Sequence, residues 1–185
     1  GKFGWKQLKV ALDSSPLIGA GRVEDTWNLI GRALSLVLDC AAKTLRRNRD
    51  EIVAEAKLTL VGKKSLKASL DIDWDDPAEK AVALERLLVE VDALERWVAA
   101  HAGPKVNEAP LRDTLTALRR VLAQDLEPDP TTGRQRIKQG VAKDRMPSLG
   151  DKEMRHGRKS KSKLFNGYKR HLAKVIGADI VVAAT

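Results

Sequence analysis

A single cysteine, Cys40, is the only thiol in the sequence, which excludes an internal disulfide framework and any Cys-rich zinc site. The three histidines, His101, His156 and His171, are far apart and lack zinc-ligand spacing. No apolar run is long enough to span a bilayer, and no signal-peptide pattern is visible. These absences set the expectation of a cytoplasmic, reducing location without a membrane partner. There is no P-loop, dinucleotide fingerprint or nucleophile elbow. No internal repeat or low-complexity tract occurs, and no sustained heptad supports an oligomerisation bundle.

What is present is charge. The 185 residues carry a formal net charge of +9, and the excess concentrates between Lys143 and Lys174. A basic balance alone attracts polyanions in general. Hydrophobic content is ordinary at 43%, enough for a core of one domain or one and a part. The chain opens on Gly1 and stops at Thr185 inside the apolar run ADIVVAAT, which gives the expectation of a fragment.

Along the chain, LKVALD (8–13) alternates and then runs apolar, predicting a buried strand that ends at Asp13. SSPLIGAG (14–21) carries the Pro and Gly that break regular structure. From 22 to 47 the period turns helical, with Val23, Trp27, Ile30, Leu34, Val37 and Leu38 on one face. A short helix is expected from Arg49 to about Leu60, then a loop with a helical turn. Residues 75–103 form the clearest helix, capped by Asp75 or Asp76 with Pro77 early in it. A further helix spans 109–130, and the short break between the two suggests an antiparallel pair. Residues 131–150 read as a basic linker. Two strands, LFNGYKRHLA and ADIVVAAT, follow, joined by a turn near Gly177. The expected layout is a first strand and loop at 1–21, a helical block at 22–130, the linker, and a basic hairpin at 151–185.

Two places could carry chemistry. Asp13, at a strand end followed by small and turn residues, sits where open α/β sheets take ligands, or it caps the turn through its own side chain. The segment DKEMRHGRKSKSKLFNGYKRH (151–171) gathers Arg155, His156, Arg158, Lys159, Lys161, Lys163, Lys169 and Arg170 around Gly157 and Gly167. Such a cluster suits phosphate backbones, through counterion release. The alternative is a solvated charge run, but these cations lie beside strand-like residues and not in a tail. Phe165 and Tyr168 are expected to pack under the sheet, with stacking on a base as the alternative, and Met154 is expected to pack. DIDWDD (71–76) lacks the glycine and terminal glutamate of a calcium loop and reads as helix capping.

ALDSSPLIGAGRVEDTWNLI and, a long helical stretch later, DKEMRHGRKSKSKLFNGYKRHLA together resemble bacterial insertion-sequence transposases with an RNase-H-like DDE catalytic domain. The resemblance implies an α+β fold: an incomplete RNase-H-like mixed sheet, a first strand plus a later hairpin, interrupted by a largely helical insertion. It implies DNA transposition by metal-dependent phosphoryl transfer, with Asp13 as the first catalytic and metal-binding carboxylate for Mg2+ or Mn2+. It implies DNA as partner, at transposon ends and target, gripped by the basic segment, with a homodimer as one available assembly. In the family the second aspartate and the glutamate follow the Gly-Tyr-Lys strand, and Lys152 stands here where proline is common. One carboxylate does not hold two metal ions, so the chain is expected not to transpose by itself. The competing expectation is a non-catalytic nucleic-acid-binding module.

Overall fold

The computed structural model describes residues 9–61, 65–177 and 180–184. Parts of three sequence expectations therefore lie outside the described residues: Leu8 of the first strand, Gly62–Lys64 of the loop after the second helix, and Ala178, Asp179 and Thr185 of ADIVVAAT. The chain is mixed α+β and divides into two compact units, Glu24–Arg145 and the two flanking segments Gly1–Val23 with Met146–Thr185.

The first of these is the helical unit. Helix α1 (Thr26–Leu45) starts where the Asp25 side chain accepts from the Asn28 N–H, and it buries Trp27, Leu29, Ile30, Ala33, Leu34, Val37, Leu38 and Ala41. That spacing is the apolar stripe expected from the sequence, corrected at Val23, which precedes the Asp25 cap and is exposed. Helices α2 (Arg49–Glu55) and α3 (Leu66–Leu70) are short. Helix α4 (Pro77–Ala102) is capped by Asp76, whose carboxylate accepts from the Ala78 N–H at 2.7 Å, with proline in the first turn. After a 3-10 turn comes α5 (Leu111–Asp125). The expected pairing of α5 with α4 is corrected: α5 packs mainly on α1, because Leu111, Leu115, Leu118 and Val121 are the residues it buries. Arg119 on α5 still reaches Glu95 on α4 at 2.8 Å.

The expected 131–150 linker is also corrected. Strand β2 (Leu126–Pro128) pairs antiparallel with β3 (Gln135–Ile137), and the helical unit runs on to Arg145. A buried pair explains that boundary. The Asp125 carboxylate accepts from Arg145 Nε at 2.8 Å, from Arg145 Nη2 at 2.6 Å and from Thr26 Oγ1 at 2.9 Å. Glu24 and Glu90 are the other buried acids, and Glu90 serves the backbone. Its Oε1 accepts from the Thr59 N–H and hydroxyl and from the Leu60 N–H, so a carboxylate on α4 satisfies the backbone of the loop after α2.

In the sheet unit, β1 (Val10–Ile18) pairs with β5 (Leu164–Val175), whose other edge pairs with β4 (Arg155–Arg158) and β6 (Val181–Ala184). Every pairing among the described strands is antiparallel, which corrects the expected mixed sheet. The β5–β6 hairpin turns at Gly177, φ +86°, as the sequence suggests.

Strand β1 corrects two further expectations. It continues five residues past Asp13, through Ser14, Ser15 and Pro16, and it is exposed where a buried strand was expected: Leu12 retains 81% and Ile18 88% of its surface. The hydrogen bonds Gly19 N–H to Asn166 O and Ile176 N–H to Lys9 O, both 2.9 Å, fix which β1 residues point at β5. They are the odd-numbered ones, since donors and acceptors alternate sides along a strand. Pro16 is even-numbered, so its missing N–H faces the unpaired edge and no ladder bond is lost. Gly167 is indispensable in its place. Its φ is +153° and a Cβ there would overlap the Leu17 carbonyl oxygen. Beyond β1, Gly21 lies so close to the next segment that a Cβ would come 2.5 Å from Ser148 Oγ. Met146, Leu149 and Met154 are buried there.

Candidate nucleic-acid interface

Antiparallel register assigns each residue of the sheet unit to a face, because directly opposed residues share one and successive residues alternate. Asp13 lies opposite Leu172. On its face the diagonal neighbours are Arg170 and Lys174, with His156 and Arg158 further along. Lys169, opposite Pro16, and Arg155, opposite Gly167, point to the other face. Arg158 lies opposite Leu164, eight residues along β5 from the partner of Asp13, a separation of ~26 Å at the usual rise per residue. The sequence-predicted carboxylate and the centre of the cation cluster thus share a face but not a pocket.

The Asp13 carboxylate accepts from the Ser14 N–H at 2.8 Å, the local turn-like contact that its residue type favours, here inside a strand. Among the described residues no three His, Cys, Asp or Glu side chains converge to hold a metal ion. One carboxylate with an arginine and a lysine as diagonal neighbours does not fit a two-metal centre, which needs several anionic oxygens.

The cations are distributed differently. Arg155 is half-buried and its Nη1 donates to the carbonyls of Lys152 and Met154 at 2.6 and 2.8 Å, so it braces its own turn. His156 meets Asn166 across the hairpin, Nδ1 to Oδ1, at 2.6 Å. Arg158, Lys159, Lys161, Lys163, Lys169 and Arg170 are exposed. None of these six forms an ion pair among the described residues, whereas the helical unit is laced with them. The sheet unit carries thirteen of the thirty-four lysines and arginines and four of the twenty-five acids. The helical unit carries twenty-one of each, so the whole net charge of +9 belongs to the sheet unit.

What sequence reasoning missed is the brace beneath this surface. Asp151 accepts from the Tyr168 hydroxyl and from the N–H groups of Met154, Ala20 and Gly21. One carboxylate thereby ties the end of the first segment to β5. The Tyr168 bond holds the Asp151 carboxyl below the ordinary aspartate range, and the same bond pushes the tyrosine up to about 12. Phe165 lies over Gly157, directly opposite it, with its ring filling the space a Cβ would take. Seventeen residues separate Asp151 from Tyr168, and no sequence signal links them. On the opposite face, Ser14 Oγ and His171 Nδ1 meet at 2.7 Å.

No helix of the described residues is long and apolar enough to cross a membrane. No family model, curated protein or solved structure matches the chain.

Proposed function

We propose that the chain binds DNA through its sheet unit, as part of a DDE-type transposase with an RNase-H-like catalytic domain, and that it does not by itself carry out strand cleavage and joining. The observation that carries the reading is the set of six exposed cations with no acidic partner among the described residues. Unpaired cations on a surface repel one another, and a polyanion relieves that repulsion while releasing its own counterions. The transposase part rests on the quoted motifs. Its Mg2+ or Mn2+ chemistry asks for carboxylates that Asp13 alone does not supply, and no catalytic step is assigned to the chain as it stands.

The second reading, a nucleic-acid-binding module without catalytic descent, is favoured by one feature: Asp13 stands in mid-strand with cations as its diagonal neighbours. A paired experiment tests both. The chain is incubated with a supercoiled plasmid and Mn2+, and duplex binding of Asp13→Asn is measured alongside. The expected result is no nicking, and binding changed by no more than the removal of one negative charge, a small strengthening. Nicking abolished by Asp13→Asn would overturn the claim of inactivity. Loss of all DNA binding by the unaltered chain would overturn both readings.

A further inference from the structure

The β1 strand ends opposite Gly167. Beyond it the Gly19 N–H still bonds Asn166 O, and β5 continues as Leu164–Phe165, paired only with β4. The hairpin therefore leaves the sheet as a two-stranded ribbon. Two residues of strand project it ~7 Å at the usual rise, and the turn Lys159–Lys163 lies at its end. The turn is closed by the Lys159 N–H donating to Lys163 O at 2.8 Å and the Lys163 N–H donating to Ser160 Oγ at 3.1 Å. Arg158 and all five turn residues are exposed.

Cations crowd the tip, and Arg158 adds one on a ribbon face; at the ribbon's base, where β5 is flanked by β1, Arg170 points to that same face and Lys169 to the other. A platform that lies flat on one phosphate backbone would carry its cations on a single face. A ribbon with cations crowded at its tip, and with Arg170 and Lys169 on opposite faces at its base, suits a groove whose two walls are both phosphate-lined. Dimensions select the groove. The major groove of B-form DNA is ~12 Å wide and ~8.5 Å deep and admits a two-stranded β-ribbon, whereas the minor groove is only ~6 Å wide. In A-form RNA the major groove is deep and too narrow for side chains to read.

Single strands are usually held by stacking bases on aromatic rings. The two aromatic rings described in this unit are already engaged: Phe165 covers Gly157, and Tyr168 binds Asp151. Phe3 and Trp5 lie outside the described residues.

We infer that the β4–β5 hairpin enters the major groove of double-stranded B-form DNA tip first, with Lys159, Lys161 and Lys163 contacting phosphates on its walls. This rests on the DNA-binding reading above and specifies its partner and mode.

The test uses the full chain and a mixed-sequence 30-base-pair duplex, with methyl green as a major-groove competitor and distamycin as a minor-groove competitor. The same sequence as single-stranded DNA and as an RNA duplex supplies the other arms. Methyl green is expected to displace the protein and distamycin not. The single strand and the RNA duplex are expected to bind at least ~10-fold more weakly. Joint replacement of Lys159, Lys161 and Lys163 by Ala is expected to weaken duplex binding by roughly 10- to 100-fold, from three lost phosphate contacts. Arginine at all three positions is expected to restore it. An unchanged Tyr168 titration shows that the variants are folded. Displacement by distamycin alone, equal affinity for single strands, or an alanine variant that binds normally would overturn groove insertion while leaving DNA binding intact. Failure to bind any nucleic acid would overturn both.

Discussion

In the helical unit twenty-one cations stand against twenty-one acids, and ion pairs such as Arg145–Asp125 and Arg119–Glu95 join them. In the sheet unit thirteen cations stand against four acids, and the six exposed cations of the hairpin and β5 have no acidic partner. The apolar residues divide the same way. Leu29, Leu34, Leu87, Leu94 and Leu118 are wholly buried in the first, whereas Leu12, Leu164 and Ile18 are mostly exposed in the second. The helical unit balances its charge internally and exposes apolar residues such as Val82 and Val89, whereas the sheet unit buries Met146, Leu149 and Met154 but leaves cations and much of β1 outside. Self-sufficiency is what a scaffold needs, and unsatisfied surface is what a binding element offers.

The comparison can be broken most forcefully at Asp125. Asp125→Ala leaves the Arg145 guanidinium buried without its carboxylate and is expected to lower the unfolding free energy by ~3–5 kcal/mol, read by urea titration of tryptophan fluorescence. A drop below ~1 kcal/mol would mean that the pair is solvated in practice. Next comes packing. Leu34→Ala should lower the same quantity by ~2–5 kcal/mol, and Leu12→Ala, on exposed β1, by no more than ~0.5 kcal/mol. Equal effects would erase the distinction between the two units.

Gly167→Ala is expected to cost about 1–3 kcal/mol in the sheet unit through its φ of +153°, together with the overlap on Leu17. Hydrogen exchange of the β1 amides would report it as faster opening. The smallest effect is electronic. Tyr168 is the only tyrosine, so absorbance at the phenolate band titrates it alone. The expected midpoint is about 12, moving toward ~10 in Asp151→Asn.

The raised tyrosine contributes stability fully below its unfolded value of ~10 and loses it as pH rises through about 12. The depressed Asp151 contributes above ~3.9 and loses it as pH falls through its lower folded value. The brace should thus be intact across the neutral range.

Legibility followed the length scale of the interactions. Helices α1 and α4 were readable because a 3.6-residue apolar period and a local cap, Asp76 before Pro77, both lie within a few residues. The basic tip was readable because its charges are consecutive. The sequence ends strand β1 at Asp13 because Pro16 reads as a breaker, and only the pairing with β5 reveals that its missing N–H faces outward. The β2–β3 hairpin escaped notice because Gln135-Arg136-Ile137 is too short and polar to alternate convincingly. Asp125 with Arg145, and Asp151 with Tyr168, are tertiary pairs whose partners no spacing rule connects. For Asp13 the sequence identified an acid on the sheet, but not that its diagonal neighbours are cations.

The central claim is that the sheet unit's unpaired cations meet a polyanion, and salt measures this most directly. Equilibrium binding of the full chain to a mixed-sequence duplex is followed from low to moderate salt. The six unpaired cations predict a slope of log K against log salt of about −5, at about 0.9 per phosphate contact. A slope near zero, or no measurable binding at low salt, would contradict it.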